Sequence, residues 1–316
     1  EKNVLYFQRS LTELGLSPEL ATLFFASGNP LEPTVRYLDN DGQEQFKAAE
    51  IPNLDGGATL TNTYSWFHSL AEAQKACPAF LYVTKLLEPL PEDQPFVTMM
   101  AQCYSGSFAN MIYENGDPTQ PVALQTRCGF FATVASRPSV GCTPAVNEAD
   151  YKDYSSSFFA GLTGRDRVGN TAPSAAYDQD GQVSYAEAHA FAKVDEKTTD
   201  WPISTVEAWL QRQVADREIE EILALPIEDL KAIARPEQQY VIASLADITE
   251  FDARKSYTAN QQRSRRPAEN TVAEAYWVRL EMELINVGAE ATVRETRSPD
   301  QIAILDKIID CESGTP

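Results

Sequence analysis

Histidine is the residue this chain most conspicuously lacks, since only His68 and His189 occur among 316 residues. Imidazole is the usual general base near neutral pH, so the sequence offers few candidates for acid–base catalysis. Cysteine is also sparse, with five residues and no Cys-x-x-Cys pair. A zinc site or a redox dithiol site is therefore not expected.

Long apolar runs are missing as well. No stretch approaches the roughly 18 consecutive apolar residues that a membrane-spanning helix needs, and no signal peptide is visible. Basic residues are few, because 26 Lys and Arg stand against 46 Asp and Glu, giving a formal net charge of -20. This charge argues against nucleic acid or an anionic membrane as the main partner. The composition is compatible with a cytoplasmic protein and with an exported one.

What is present is a globular composition, 43% hydrophobic and 23% charged. Apolar runs without helical period alternate with amphipathic stretches, which predicts strands alternating with helices and a doubly wound α/β sheet. From Ser204 onward the pattern is helical. We expect an α/β domain over 1–210 and a helical C-terminal subdomain over 211–316. The expected strands are 21–27, 78–84, the run from Phe96, and 129–136, and the main expected helices are 2–15, 65–76, 153–162, 185–194, 271–287 and 299–309.

The stretch 96–109 is the most informative one. Its apolar start predicts a buried strand of a parallel sheet, and Cys103 follows where that strand passes into a predicted helix. In open α/β sheets, ligands bind at this edge. A thiol there lies near backbone N–H groups that favour the thiolate and receive an oxyanion. Cys103 is thus either a nucleophile or a buried cysteine that packs as a small hydrophobe.

Gln102-Cys103-Tyr104-Ser105-Gly106 resembles the nucleophile segment of the caspase and legumain group of cysteine peptidases. The stretches 131–142, 151–159 and 178–192 are similar to the bacterial legumain-like branch (peptidase C13-like). The resemblance covers roughly residues 20–210. It implies a caspase-like, mostly parallel sheet flanked by helices, and cleavage of peptide or protein substrates by a Cys-His dyad. By the same resemblance, Gln102, Gly106, Ser136 and Arg137 line the substrate pocket.

The histidine of that group is missing from its expected place, after the strand 78–84. Three interpretations compete. A loop carrying the histidine between Thr84 and Lys85 is absent from this sequence, or the protein is an inactive caspase-like scaffold, or His68 serves as the base. His189 is expected to pack within a helix. Asn29, which follows Gly28 at the end of a predicted strand, mimics the position of that histidine, but an amide cannot accept the thiol proton.

Other polar residues leave further alternatives open. Arg137 either pairs with an acidic substrate side chain or is a surface residue. Asp178, Asp180, Ser184 and Glu187 have the ligand spacing of a calcium-binding EF-hand loop, but Ala176 stands at the first ligand position. Ser184 and Glu187 fit equally a capping box that starts a helix, with no metal and no other cofactor. Cys128 and Cys142 either pair in an oxidising compartment or remain free thiols.

Overall fold

A computed structural model describes residues 1–26, 28, 32–73, 94–140, 149, 151 and 153–316. The fold is mixed α/β, about 49% helical and 10% strand, with small sheets flanked by helices. The strands are β1 Val35–Leu38, β2 Glu44–Lys47, β3 Phe96–Met100, β4 Arg127–Phe131 and β5 Ile203–Ser204. The α-helices are α1 Lys2–Glu13, α2 Leu60–Ala73, α3 Tyr154–Thr163, α4 Tyr185–Asp195, α5 Thr205–Gln211, α6 Asp216–Leu223, α7 Ile227–Ile233, α8 Pro236–Ile248, α9 Tyr257–Arg263, α10 Val272–Thr296 and α11 Pro299–Glu312.

The sheet that positions the site has the order β3-β4-β5. β3 and β4 are parallel over five residues, from Phe96 opposite Arg127 to Met100 opposite Phe131. β5 adds an antiparallel pairing of two residues to β4. A separate antiparallel hairpin joins β1 to β2. The predicted parallel pairing is therefore present, on a sheet with an antiparallel edge.

Both faces of β3 and β4 are covered, which explains why their sequences are continuously apolar. One face contributes Val97, Cys128 and Phe130 to a core shared with α1, α3, α4 and α11. The other face contributes Met100 and Phe131 to a second core, which also contains residues from the segment after β3. Side chains alternate between the two cores because successive residues of a strand point to opposite faces.

Arg279 of α10 is the largest fully buried side chain in the described chain, with 2% of its surface exposed. Its guanidinium donates to the carbonyl oxygens of Lys193, Glu196, Thr198 and Asp200 at 2.9–3.2 Å. It also lies 2.8 Å from the Glu196 carboxylate. One side chain of the C-terminal helices thus fixes the segment that links α4 to β5.

The cysteine pairing differs from the one considered from the sequence. Cys128 forms a disulfide with Cys311, across a sequence separation of 183 residues. Cys128 is fully buried on the face of β4 that α11 covers, so its partner comes from α11. A pairing of Cys128 with Cys142 is therefore wrong. Cys142 itself lies outside the described residues.

Some predicted elements form and others do not. Helices are confirmed at α3, α4, α10 and α11, and the strand beginning at Phe96 is confirmed as β3. The strand predicted over 21–27 is wrong for its described residues, where Phe24 makes only an isolated bridge with Gly56. The predicted strand 78–84, the position between Thr84 and Lys85, and Asn29 lie outside the described residues. None of the described helices is long and apolar enough to cross a membrane.

Replacing Arg279 with Met should lower the free energy of unfolding by about 3–5 kcal/mol, because four buried carbonyl groups and Glu196 lose their partner. Burial raises the pKa of Glu196 to about 8, and Arg279 opposes that rise. A carboxyl group whose pKa rises on folding stabilises the fold at low pH and loses that contribution as pH rises through the folded pKa. Urea unfolding should therefore show the variant losing more stability than the wild type between pH 7 and pH 9.

Arg217→Met is the control, because that side chain is 88% exposed and pairs only with the neighbouring Glu221. An exposed pair of this kind contributes little. Equal unfolding midpoints for the Arg279 variant and the Arg217 variant would contradict the role assigned to Arg279.

Candidate active site

Cys103 lies just beyond the carboxyl end of β3 and is exposed. It is the free cysteine of the part of the chain that the structure describes. The backbone of β4 continues beside this edge, where the Ala132 N–H donates to the Met100 carbonyl at 2.9 Å. The thiol is therefore presented at the strand edge where α/β sheets bind ligands. The alternative of a buried cysteine acting as a small hydrophobe is wrong.

The turn after Cys103 has a constrained backbone. Tyr104 is left-handed at φ +58° and is half exposed. A side chain at Gly106 would place its Cβ 2.8 Å from both the Thr133 carbonyl oxygen and the Val134 Cα. Only glycine allows this approach. The chain then forms a 3₁₀ helix, Ser105–Ile112, where its apolar residues predicted a helix.

Three contacts join this turn to the loop that follows β4. The Gly106 N–H donates to Thr133 at 2.8 Å, and the Tyr104 N–H donates to the Arg137 carbonyl at 2.9 Å. The Cys103 thiol donates to the Ser139 carbonyl at 3.3 Å. The resemblance implied one site for Cys103, Gly106 and Arg137. In the structure Gly106 and Arg137 take part in this junction through backbone atoms and Cys103 through its thiol.

Asp200 holds residues 139 and 140 of the same loop. Its carboxylate accepts from the Ser139 hydroxyl at 2.5 Å and from the Val140 N–H at 2.9 Å. Only 1% of its surface is exposed, and burial raises the pKa of Asp200 while these two donors oppose the rise. A buried carboxylate therefore holds residues 139 and 140 beside the thiol.

The remaining predicted pocket residues have different surroundings. Ser136 is exposed, and Gln102 is partly buried. The Arg137 guanidinium lies 3.9 Å from the centre of the Trp201 ring and donates to Asn270 at 3.2 Å. Stacking and hydrogen bonding hold this guanidinium against the protein's own side chains. Arg137 is thus a partly buried residue of the loop.

His189 is buried against Phe130 of β4, with 3% of its surface exposed and the two ring centroids 5.3 Å apart. Its Nδ1 is 2.5 Å from the Tyr154 hydroxyl, and its Nε2 is 3.4 Å from Glu207. Burial lowers the pKa of His189. Lys193 bridges Glu207 to Glu283 in the same buried cluster. The expectation that His189 is a helix-packing residue is confirmed.

His68 belongs to α2, and its side chain lies outside the described residues. On the same helix, Trp66 donates to the Thr22 hydroxyl at 2.9 Å and packs against the core that also receives Phe108 and Val134. His68 as the base stays a prediction.

The segment 178–187 forms the capping box. Ser184 accepts from the Glu187 N–H at 3.2 Å, and the Glu187 carboxylate accepts from the Ser184 N–H at 2.9 Å. The other Glu187 oxygen accepts from the N–H groups of Tyr177 and Asp178. Asp178 and Asp180 accept from backbone N–H groups two residues onward. In the described chain, no group of three or more His, Cys, Asp or Glu could hold a metal ion.

Two residues of the site were missed from the sequence. Asp200 is 61 residues after Ser139, and no local motif marks that pairing. Tyr104 stands in the resemblance motif, but its left-handed backbone has no signal in the residue type, because tyrosine rarely adopts that conformation. Strained residues of this kind cluster at functional sites.

Gly106→Ala should lower the free energy of unfolding by about 1–3 kcal/mol, because the added methyl group meets backbone atoms that cannot move aside independently. Thermal and urea unfolding measure this. Ser107→Ala is the matched control, since Ser107 is exposed and its hydroxyl only donates to the Tyr104 carbonyl. Identical midpoints for the two variants would exclude the close approach at Gly106.

Ser184→Ala should lower the free energy of unfolding by about 0.5–2 kcal/mol, because α4 loses its N-cap. Millimolar calcium should leave the thermal midpoint of the wild type unchanged, because the Glu187 oxygens are bonded to the backbone. Differential scanning calorimetry with and without calcium tests both points. A midpoint that rises with calcium concentration would restore the metal-site interpretation.

Comparison with known proteins adds no assignment to this geometry. The chain matches no protein-family model, no curated protein and no solved structure. The likeness to the caspase and legumain group therefore rests on residues 102–106, 131–142, 151–159 and 178–192 alone.

Proposed function

We propose that this chain is a cysteine-type endopeptidase in which Cys103 is the nucleophile. One observation carries the proposal: an exposed free thiol stands at the carboxyl end of a parallel strand, in a turn that is fixed to the neighbouring loop. A nucleophile has to be accessible and its geometry has to be held by its surroundings. Cys103 satisfies both conditions.

The reaction follows from the chemistry of a thiol. A base removes the proton from Cys103 Sγ, and the sulfur attacks the carbonyl carbon of the peptide bond. The amine leaves with that proton, and a thioester remains on Cys103. Water, deprotonated by the same base, attacks the thioester, the acid product leaves, and the thiol takes back a proton.

The negative oxygen that forms during this attack needs N–H donors. Tyr104 and Gly106 already donate to the loop after β4. The N–H of Cys103 itself is the donor that we assign to the oxyanion. The rigidity of the two bonded N–H groups serves to hold that donor in place.

Two sources for the base are compatible with the proposal. The first is a histidine in a loop between Thr84 and Lys85 that is absent from this sequence. The second is His68, on α2. Peptide mapping that finds additional residues between Thr84 and Lys85 supports the first source. Peptide mapping that finds Thr84 joined directly to Lys85, with cleavage abolished by His68→Ala, supports the second.

A catalytically inactive scaffold is the second candidate function, and one observation favours it. Among the histidine side chains that the structure describes, His189 is buried in its own cluster, where Tyr154 and Glu207 bond both ring nitrogens. In this case the α/β edge or the C-terminal helices would bind partner proteins. Peptide mapping that finds Thr84 joined directly to Lys85, together with no cleavage of any peptide, supports the scaffold.

Cys103→Ala should abolish cleavage of a peptide library, with a fall of roughly 10³-fold or more, because the bond-forming atom is removed. Labelling by a thiol-reactive peptide should disappear in the same variant. Ser107→Ala, an exposed neighbour on the same turn, should retain both. Cleavage that persists in the Cys103 variant would end the peptidase proposal.

A further inference from the structure

Both carboxylate oxygens of Asp200 accept hydrogen bonds from the loop beside Cys103. One oxygen accepts from the Ser139 hydroxyl at 2.5 Å, and the other accepts from the Val140 N–H at 2.9 Å. Only 1% of the surface of Asp200 is exposed to solvent. Hydrogen bonds to a charged group are the stronger kind. The loop is therefore held at two adjacent residues by one buried carboxylate.

Asp200 itself has little freedom to move. Its N–H donates to the Thr198 hydroxyl at 3.1 Å, and its carbonyl oxygen accepts from Arg279 Nε at 2.9 Å. The next N–H along the chain, that of Trp201, donates to the Thr133 hydroxyl at 3.4 Å. The backbone of residue 200 is thus fixed from α10 on one side and from the loop after β4 on the other.

The loop held by Asp200 makes direct contact with the sulfur. The Ser139 carbonyl accepts the Cys103 S–H at 3.3 Å, while the hydroxyl of the same serine donates to Asp200. A single residue therefore touches the thiol with its backbone and the carboxylate with its side chain. Movement of Asp200 would be transmitted to the thiol through one residue.

We propose that Asp200 is a positioning residue of the Cys103 site. It fixes the 139–140 backbone and thereby keeps the Ser139 carbonyl within hydrogen-bonding distance of the thiol. The inference deepens the proposed peptidase function and rests on it for its catalytic meaning. The carbonyl takes a hydrogen bond from the resting thiol, and this bond has to be given up when the proton leaves the sulfur. Asp200 thus stabilises the arrangement in which the protonated thiol donates to the Ser139 carbonyl.

The test measures Cys103 directly, as the second-order rate of alkylation by iodoacetamide, mapped to Cys103 by peptide mass spectrometry. In Asp200→Ala both carboxylate acceptors are removed, so both contacts to the loop are lost, whereas an asparagine amide would still bond the Val140 N–H and the Ser139 hydroxyl. The alkylation rate should rise by between about 2-fold and about 12-fold, the range for loss of the one hydrogen bond from the thiol to Ser139. Ser139→Ala should raise it in the same direction.

Ser139→Ala removes one of the two contacts that Asp200→Ala removes, so the double variant should be no faster than Asp200→Ala alone, whereas independent effects would multiply. Asp166→Ala is the matched control, because Asp166 also accepts from two backbone N–H groups, those of Val168 and Asn170, in a different loop. It should leave the Cys103 rate unchanged. A purely structural role of Asp200 would lower the thermal midpoint without changing the Cys103 rate well below that midpoint.

A Cys103 rate at or below the wild-type value in both Asp200→Ala and Ser139→Ala would overturn the inference. If Asp200→Ala does not fold, Ser139→Ala alone decides, because it removes only the hydroxyl. Peptide cleavage by the wild type is measured separately. Faster alkylation in the variants with no cleavage by the wild type keeps the positioning role and rejects the peptidase. Cleavage by the wild type with unchanged alkylation in the variants keeps the peptidase and rejects the positioning role.

Discussion

The burial of the Arg279 guanidinium among backbone carbonyl groups is the constraint on which the rest of the structure depends. An isolated buried charge is costly, so the fold has to surround it with acceptors. The segment after α4 supplies these acceptors, four carbonyl groups and Glu196. This segment also carries Asp200. A helix from the C-terminal third therefore determines where the loop beside Cys103 can lie.

The site built on this constraint is made mostly of backbone. Hydrogen bonds from Tyr104, Gly106 and the Cys103 thiol tie the turn after β3 to the loop after β4. Gly106 is needed there because the two segments approach too closely for a side chain. The disulfide between Cys128 and Cys311 fixes β4 to α11 on the other side of the sheet. The thiol is thus exposed, but the elements around it are held from both sides.

Features set by local sequence could be predicted, and features set by long-range contact could not. The apolar run at β3 acts over a few residues, so its pattern was sufficient, and the capping box of α4 was one of the two alternatives that the spacing left open. The helix predicted after Cys103 is present as a 3₁₀ helix. The Cys128–Cys311 bond and the Asp200 contacts join distant segments, and no local pattern specifies them.

The most direct test of the central claim is labelling of the intact wild-type chain with a set of peptides that carry one thiol-reactive group, compared with the same group lacking a peptide. A nucleophile in a substrate-binding site should react faster with some peptides than with the peptide-free reagent, and mass mapping should place the adduct on Cys103. Equal rates for every peptide and for the peptide-free reagent would contradict the account. Cys103 would then be an exposed thiol without a substrate site.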